Sequence, residues 1–427
     1  VRHEPVTSRC RPERVVLLHD FSEALGGASH LVQVLIAGLR ERGVPVTFFA
    51  GDAGTNFHRR DVEFIPLHAR ALLDRSPVGA LTVGLYNHAV LRRVRGWIRR
   101  HDTPGTVYHL HGWSKVLSPA VFGALRSVQG RLILHAHDYF NCCPNGAFFD
   151  YTKERDCALV PLSRACLQTQ CDKSSRVQKL WRTGREGLRR GLLDGSSNAE
   201  RLLLIHPGQA SPFRRGQWPA EKLFAVRNPV TPPCRERVHA ESNRGIVFIG
   251  RISAEKGADL AARAAELADV PITFVGEGSE MERVRSLNPR AVFLGRQDRA
   301  GVARALATAR LAVMPSRWAE PFGLVALEAA GSGVPVIVSE RALIGGEVEK
   351  AGFGTAMDTA NVARFASEIA ALHADNDRVA AMSRAGHAGY RGLCNDESGW
   401  CEEILAHYRN LVASPVPAPA AAVGEQA

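Results

Sequence analysis

Glu320 and Glu328 frame the stretch of this chain whose residue types point most directly to chemistry: Glu320-Pro321-Phe322-Gly323-Leu324, continuing to Glu328. It follows an apolar run, Leu311 to Pro315, that reads as a short buried strand ended by a proline. Pro321 suits the first turn of a helix, where its missing N–H would be unpaired in any case. Gly323 allows close backbone approach, and free N–H groups at a helix start attract phosphate. Glu328 then lies two turns below Glu320, roughly 12 Å along the helix at about 1.5 Å per residue. One carboxylate can meet a sugar and the other a ribose, with a diphosphate between them. That is the layout of a nucleotide-sugar site. Taken alone, the pair could equally be two solvated glutamates on an amphipathic helix, so the rest of the chain must decide.

Three further elements suit such a donor. Gly26 and Gly27 stand between the end of a first strand and a helix, where their amides could meet a diphosphate. Gly250-Arg251 to Lys256-Gly257 follows another strand and precedes another helix. Arg251 and Lys256 could neutralise a diphosphate leaving group as the glycosidic bond breaks. Gly276-Glu277-Gly278 comes close to a dinucleotide fingerprint but has Met281 at the third glycine, which argues for a nucleotide-facing loop and against hydride transfer.

With these motifs in this order, the chain resembles the family 4 glycosyltransferases, retaining GT-B enzymes with an E-x7-E element. The resemblance is tightest over residues 244–350 and looser in the first half. It implies that Glu320 contacts the transferred sugar, that the amides of Phe322, Gly323 and Leu324 hold the phosphates, and that Glu328 binds the ribose. It also implies a donor-sugar contact from a first-domain histidine at a strand end, which falls on His137. His135 points to the same face by the period-two rule, so the choice within that pair stays open. In such enzymes a front-face mechanism is the usual proposal, with no organic cofactor. No D-x-D stands at a strand end, so no divalent metal is expected in the chemical step.

A cysteine cluster departs from the plain family pattern. Cys143, Cys157, Cys166 and Cys171 are spaced C-x13-C-x8-C-x4-C, with Cys142 beside the first. Four thiolates could form a closed tetrahedral zinc site, although no C-x2-C knuckle is present. Independent buried thiols and disulfides are the alternatives. The loop of residues 141–173 lies where an acceptor would enter and is expected to shape acceptor choice.

The elements that must position these residues alternate short apolar runs with longer amphipathic stretches, a pattern of α/β layers around parallel sheets. Strands are expected at Arg14–His19, Val46–Ala50, Val107–His111, Arg131–His135, Arg201–Ile205 and around Phe224. After a proline-rich linker they restart at Gly245–Ile249, Pro271–Val275, Val292–Leu294, Leu311–Met314 and Pro335–Val338. Two Rossmann-like domains follow, 1–228 on the acceptor side and 229–395 on the donor side. A helix over 396–413 crosses back onto the first domain, and a Pro/Ala-rich tail over 414–427 is expected to be disordered.

The net charge of +11 is unevenly placed. Residues 1–227 carry 33 Lys+Arg against 19 Asp+Glu, whereas residues 228–427 carry 21 against 24. Within the basic half, Val177, Leu180, Trp181 and Leu188 fall near one helical face between lysines and arginines. Such a helix can lie on an anionic membrane surface, or it can pack its apolar face and solvate its arginines. No nucleic-acid module accompanies the charge, so nucleic acid is not an expected partner. No run reaches the eighteen or so apolar residues needed to span a bilayer, and Val1 to Pro5 lacks a signal-peptide core. A cytoplasmic protein, peripheral at most, is expected.

The combined expectation is a retaining transferase that moves a sugar from a nucleotide donor, UDP-linked ahead of GDP-mannose, to a saccharide or lipid-linked acceptor in cell-surface polysaccharide or glycoconjugate assembly. A sugar-nucleotide epimerase and a silent nucleotide-sugar-binding scaffold are the alternatives.

Overall fold

The computed structural model describes residues 11–413 apart from 24–25 and 193–198; the tail over 414–427 lies outside the described residues. The first sheet contains β1 (Arg14–His19), β2 (Val46–Ala50), β3 (Glu63–Pro66), β4 (Thr106–Leu110) and β5 (Leu132–Ala136). A two-stranded hairpin, β6 (Phe149–Asp150) and β7 (Arg155–Asp156), stands apart, and β8 (Arg201–Leu204) and β9 (Leu223–Ala225) complete the sheet. Its order is β3-β2-β1-β4-β5-β8-β9, parallel throughout. The second sheet, of β10 (Gly245–Ile249), β11 (Ile272–Val275), β12 (Val292–Phe293), β13 (Ala309–Met314), β14 (Val336–Ser339) and β15 (Gly354–Met357), runs β12-β11-β10-β13-β14-β15, also parallel.

Both sheets are covered on both faces, which is why their central strands are apolar runs rather than alternating ones. On β1, Val15 and Leu17 pack against the helix Gly27–Glu41 and the helix Glu397–Ala413, while Val16 and Leu18 pack toward Val90, Val94 and Phe122. The last helix thus belongs to the first domain's core: Trp400, Ile404, Leu405 and Tyr408 are all buried there. Where the chain passes between domains, the two crossing segments lie side by side. The Val230 N–H donates to the Asn395 carbonyl (3.0 Å), and the Asn395 N–H donates to the Asn228 carbonyl (3.2 Å). Arg227 and Glu347 form a bidentate pair beside this crossing (2.8 and 2.7 Å).

The sequence reading missed β3, β15 and the hairpin. Edge strands such as Glu63-Phe-Ile-Pro66 are short and only partly buried, so they lack the continuous apolar signal. The first helix starts directly at Gly27.

Candidate active site

The Glu320 segment is less helical than its spacing suggests. The helix runs Leu324–Gly331, with Gly323 as its N-cap, so Pro321 lies in the loop and not in the first turn. Only about five residues of helix, roughly 6 Å of rise, therefore precede and include Glu328. Gly323 is required on two counts: its φ is +76°, and a Cβ there would come 2.7 Å from Ile344 Cγ2. Phe322 is buried in the second domain's core, which holds the turn down while its backbone stays at the helix mouth.

Glu320 is the centre of a tight polar cluster. Lys256 Nζ donates to its Oε1 at 2.5 Å and Ser316 Oγ to its Oε2 at 2.5 Å. Burial alone would raise the Glu320 pKa. The Lys256 charge and hydrogen bond, the Ser316 hydroxyl and the Arg251 charge outweigh it and hold the carboxyl below its ordinary value. A carboxylate that stays ionised while largely shielded from water is suited to accept hydrogen bonds from sugar hydroxyls. Ser316 and Arg317 are contributors that the sequence reading did not single out. Arg317 forks onto Asp259 (2.6 and 2.8 Å) and donates to the Ala254 carbonyl (2.7 Å), clamping the Glu320 loop onto the turn that carries Lys256. A generic Arg and Asp 58 positions apart offer no sequence signal of this pairing.

Lys256 ends a 3-10 turn, Ala254–Lys256, and Gly257 follows at φ +69°, where a Cβ would sit 2.0 Å from the Pro315 carbonyl. Close backbone approach between β10's and β13's exits is what brings Lys256 to Glu320. Arg251, in contrast, is exposed and pairs with Glu255 at 3.6 Å, so it is the more available cation. The Gly276-Glu277-Gly278 loop packs backbone to backbone on this element: a Cβ at Gly276 would lie 2.0 Å from the Gly250 carbonyl, and the Ile252 N–H donates to the Glu277 carbonyl. Those glycines are explained by loop packing.

Glu328 is half-buried, and burial, only partly opposed by Arg299, raises its pKa to about 7. In the first domain, Gly26 caps the helix Gly27–Glu41 without a side-chain cap, and open space lies where Cβ atoms of Gly26 and Gly27 would be. The helix start is therefore clear for an incoming group.

His135 is buried within β5, whereas His137, just past the strand's end, is half-buried. His137 Nε2 pairs with His111 Nδ1 at 3.0 Å. Burial first, then neighbouring His19 and His109, pulls the His137 pKa down to about 3, so the ring is neutral near neutral pH. Two residues on, Tyr139 donates its hydroxyl to the Ala319 carbonyl (3.5 Å), beside Glu320. The His137 strand end and the Glu320 loop thus come from different domains to one cleft.

In the cysteine loop, Cys143, Cys166 and Cys171 are buried and Cys157 is half-buried. Lys179 Nζ approaches Cys171 Sγ at 3.1 Å and Cys166 Sγ at 3.6 Å, and Asn145 bridges Cys143 and Cys171. Among the described residues, the three-ligand group that is compact enough for a metal ion is one of histidines, not of these thiols.

With this geometry in place, similarity to known proteins becomes informative. Residues 235–388 match the family described as glycosyl transferases group 1. Glycogen synthase of Mycobacterium tuberculosis is 31% identical over 214 residues, covering 47% of this chain and 48% of that protein. The chain spans about half the length of the curated relatives it matches. Whole-chain likeness comes from solved structures. Sucrose-phosphate synthase from Thermosynechococcus elongatus superposes with a TM-score of 0.68 at 18% identity, covering 94% of this chain and 99% of that one. The Anabaena HepE protein, solved with UDP, gives 0.63 at 16% identity, covering 93% and 100%. The fold is GT-B.

Proposed function

We propose that this protein is a retaining glycosyltransferase of the family 4 type, moving a hexose from a nucleotide sugar to a saccharide or lipid-linked acceptor. The observation that carries the reading is the ionised Glu320, held by Lys256 and Ser316 at the mouth of a helix that carries a half-buried Glu328. Glu320 accepts hydroxyls of the transferred sugar, the amides near Leu324 meet the diphosphate, and Glu328 accepts the ribose hydroxyls. Arg251 and Lys256 stabilise charge on the leaving phosphate, and this pair of cations supports a chemical step without a divalent metal. As the C1–phosphate bond breaks, the acceptor oxygen bonds to C1 on the same face. The acceptor's hydroxyl proton passes to the leaving phosphate oxygen. Neutral His137 supplies a hydrogen bond to the sugar. UDP-sugars stand ahead of GDP-mannose as donors, a preference in line with the HepE protein having been solved with UDP.

A membrane-bound acceptor has support from the helix Arg176–Leu192, which is turned inside out. Its charged residues Lys179, Arg185, Glu186 and Arg189 are buried, while Val177, Leu180 and Leu188 are exposed. Gly184, Gly187 and Gly191 continue that outward stripe. Trp181, expected on the same face, instead packs on the neighbouring helix and donates to the Leu81 carbonyl (3.0 Å). A helix that faces its apolar stripe outward is suited to the boundary of a lipid bilayer. Among the described residues, no helix is long and apolar enough to cross a membrane. In the cysteine loop the buried Lys179 ammonium sits against Cys166 and Cys171, where a zinc dication would meet like charge, so of the readings of Cys143, Cys157, Cys166 and Cys171 the one proposed is independent buried thiols.

The deciding experiment is thermal stabilisation against UDP-, GDP-, ADP- and TDP-sugars, followed by assay of released nucleotide. A donor at 100 times its Kd should add about 2.7 kcal/mol. Binding with slow hydrolysis, accelerated by acceptor, is the expected result. Binding with no release of nucleotide would overturn catalysis in favour of a scaffold.

A further inference from the structure

We infer that His109, His111 and His135 form a site for one transition-metal dication of the zinc class, inside the first domain. The three side chains converge because β4 and β5 are parallel neighbours, with His109 opposite Ile133 and Leu110 opposite Leu134. Continuing that register sets His111 beside His135, and residues two apart on a strand share a face. One ligand atom from each histidine lies within 4.8 Å of the others. None of the three is more than 5% exposed.

The hydrogen bonding around the cluster is incomplete in a telling way. His109 Nε2, His111 Nε2 and both ring nitrogens of His135 are buried with no partner. A buried polar atom left unpaired is costly, and four in one cluster call for a ligand. The opposite nitrogens are already engaged: Tyr408 Oη meets His109 Nδ1 at 2.6 Å, and His137 Nε2 meets His111 Nδ1 at 3.0 Å. Outer partners that fix a ring's orientation while its other nitrogen points inward are the usual surroundings of metal-binding histidines. Three imidazoles without a carboxylate select zinc, cobalt, nickel or copper over magnesium or calcium. A fourth position would remain for water.

Such an ion would tie β4 and β5 to the last helix through Tyr408. It would also lie next to the His137 ring, whose centroid is 4.3 Å from that of His135. The inference does not depend on the transferase reading, because it concerns a buried site within one domain.

The test uses the full chain stripped with a chelator and titrated with Co2+, then with Zn2+. Binding at the histidines gives visible d–d bands without the near-ultraviolet thiolate charge-transfer band that cysteine ligation produces. Zn2+ should displace the Co2+ and raise Tm. His135→Leu, which also removes two unpaired nitrogens, should lose this signal at least tenfold in affinity, whereas Cys171→Ser should leave it unchanged. Zinc-edge X-ray absorption on the wild-type protein should show imidazole scattering, whether or not the variants fold. A cobalt spectrum of thiolate character only, an all-sulfur zinc shell, or no metal uptake would each overturn the site.

Discussion

Glu320 balances two opposed demands: burial that disfavours its charge, and a lysine, a serine hydroxyl and a nearby arginine that favour it. Lys256→Ala removes the largest favourable partner, so kcat/KM should fall by about 10²–10³ in a donor-hydrolysis assay with circular dichroism unchanged. Glu320→Ala should do the same, and wild-type turnover in both would reject the site. Glu328 makes a pH prediction with a definite sign. The folded carboxyl keeps its proton up to about pH 7, whereas an unfolded glutamate loses it near 4.5. Between those values the unfolded state sheds a proton the native state retains, so this residue costs stability as pH rises through that window. Glu328→Gln should flatten that part of the stability profile. Ribose hydroxyls need the carboxylate as acceptor, so nucleotide-sugar affinity should strengthen as pH climbs through 7, and Glu328→Gln should abolish the dependence in calorimetry.

Two helices carry predictions at the scale of elements. The helix Glu397–Ala413 closes the first domain's core with Trp400 fully buried, and Trp400→Ala should cost about 3–5 kcal/mol in denaturant unfolding. The helix Arg176–Leu192 is held from beneath by its own charges: Glu186 pairs with both Arg189 and Arg190 at 2.8 Å, and Arg182 pairs with Asp172 at 3.1 Å. Leu180→Glu touches none of these pairs. It should weaken binding to anionic vesicles in a flotation assay while leaving donor hydrolysis in solution unchanged. Equal flotation by the variant would remove this helix from the interface.

Over the whole molecule, the basic excess lies before residue 228, in the part of the chain that contains the outward-facing apolar stripe. Long-range attraction to an anionic surface is screened over about 10 Å at 0.1 M salt, whereas apolar insertion is not. Vesicle binding should therefore drop several-fold between low and high salt without vanishing. Salt-independent binding would assign it to the stripe alone. The two domains meet across a crossing of paired backbone segments and the Arg227–Glu347 pair. Tyr139 and Glu154 of the first domain reach the Arg317–Glu320 loop of the second, so residues of both domains meet at that loop.

Much of this was legible in the residues themselves. Apolar runs such as Arg14–His19 and Gly245–Ile249 mark central parallel strands because both sheet faces are covered, and Glu320, Lys256 and Gly323 stand in the motifs from which the proposed donor site was read. Of the four edge strands, β9 and β12 were legible, whereas β3 and β15 were not. Nor were the partnerships that matter most. Lys256 meets Glu320 across 64 positions, and Arg317 meets Asp259 across 58, only because β10 and β13 are neighbours. The basic helix reads as amphipathic either way, and only packing shows that Lys179, Arg185, Glu186 and Arg189 are inside. The histidines of β4 and β5 are scattered along the chain until strand register stacks them. Periodicity is a property of neighbours in sequence, so it determines elements and their faces; contacts between elements depend on register and domain closure, which only the tertiary structure decides.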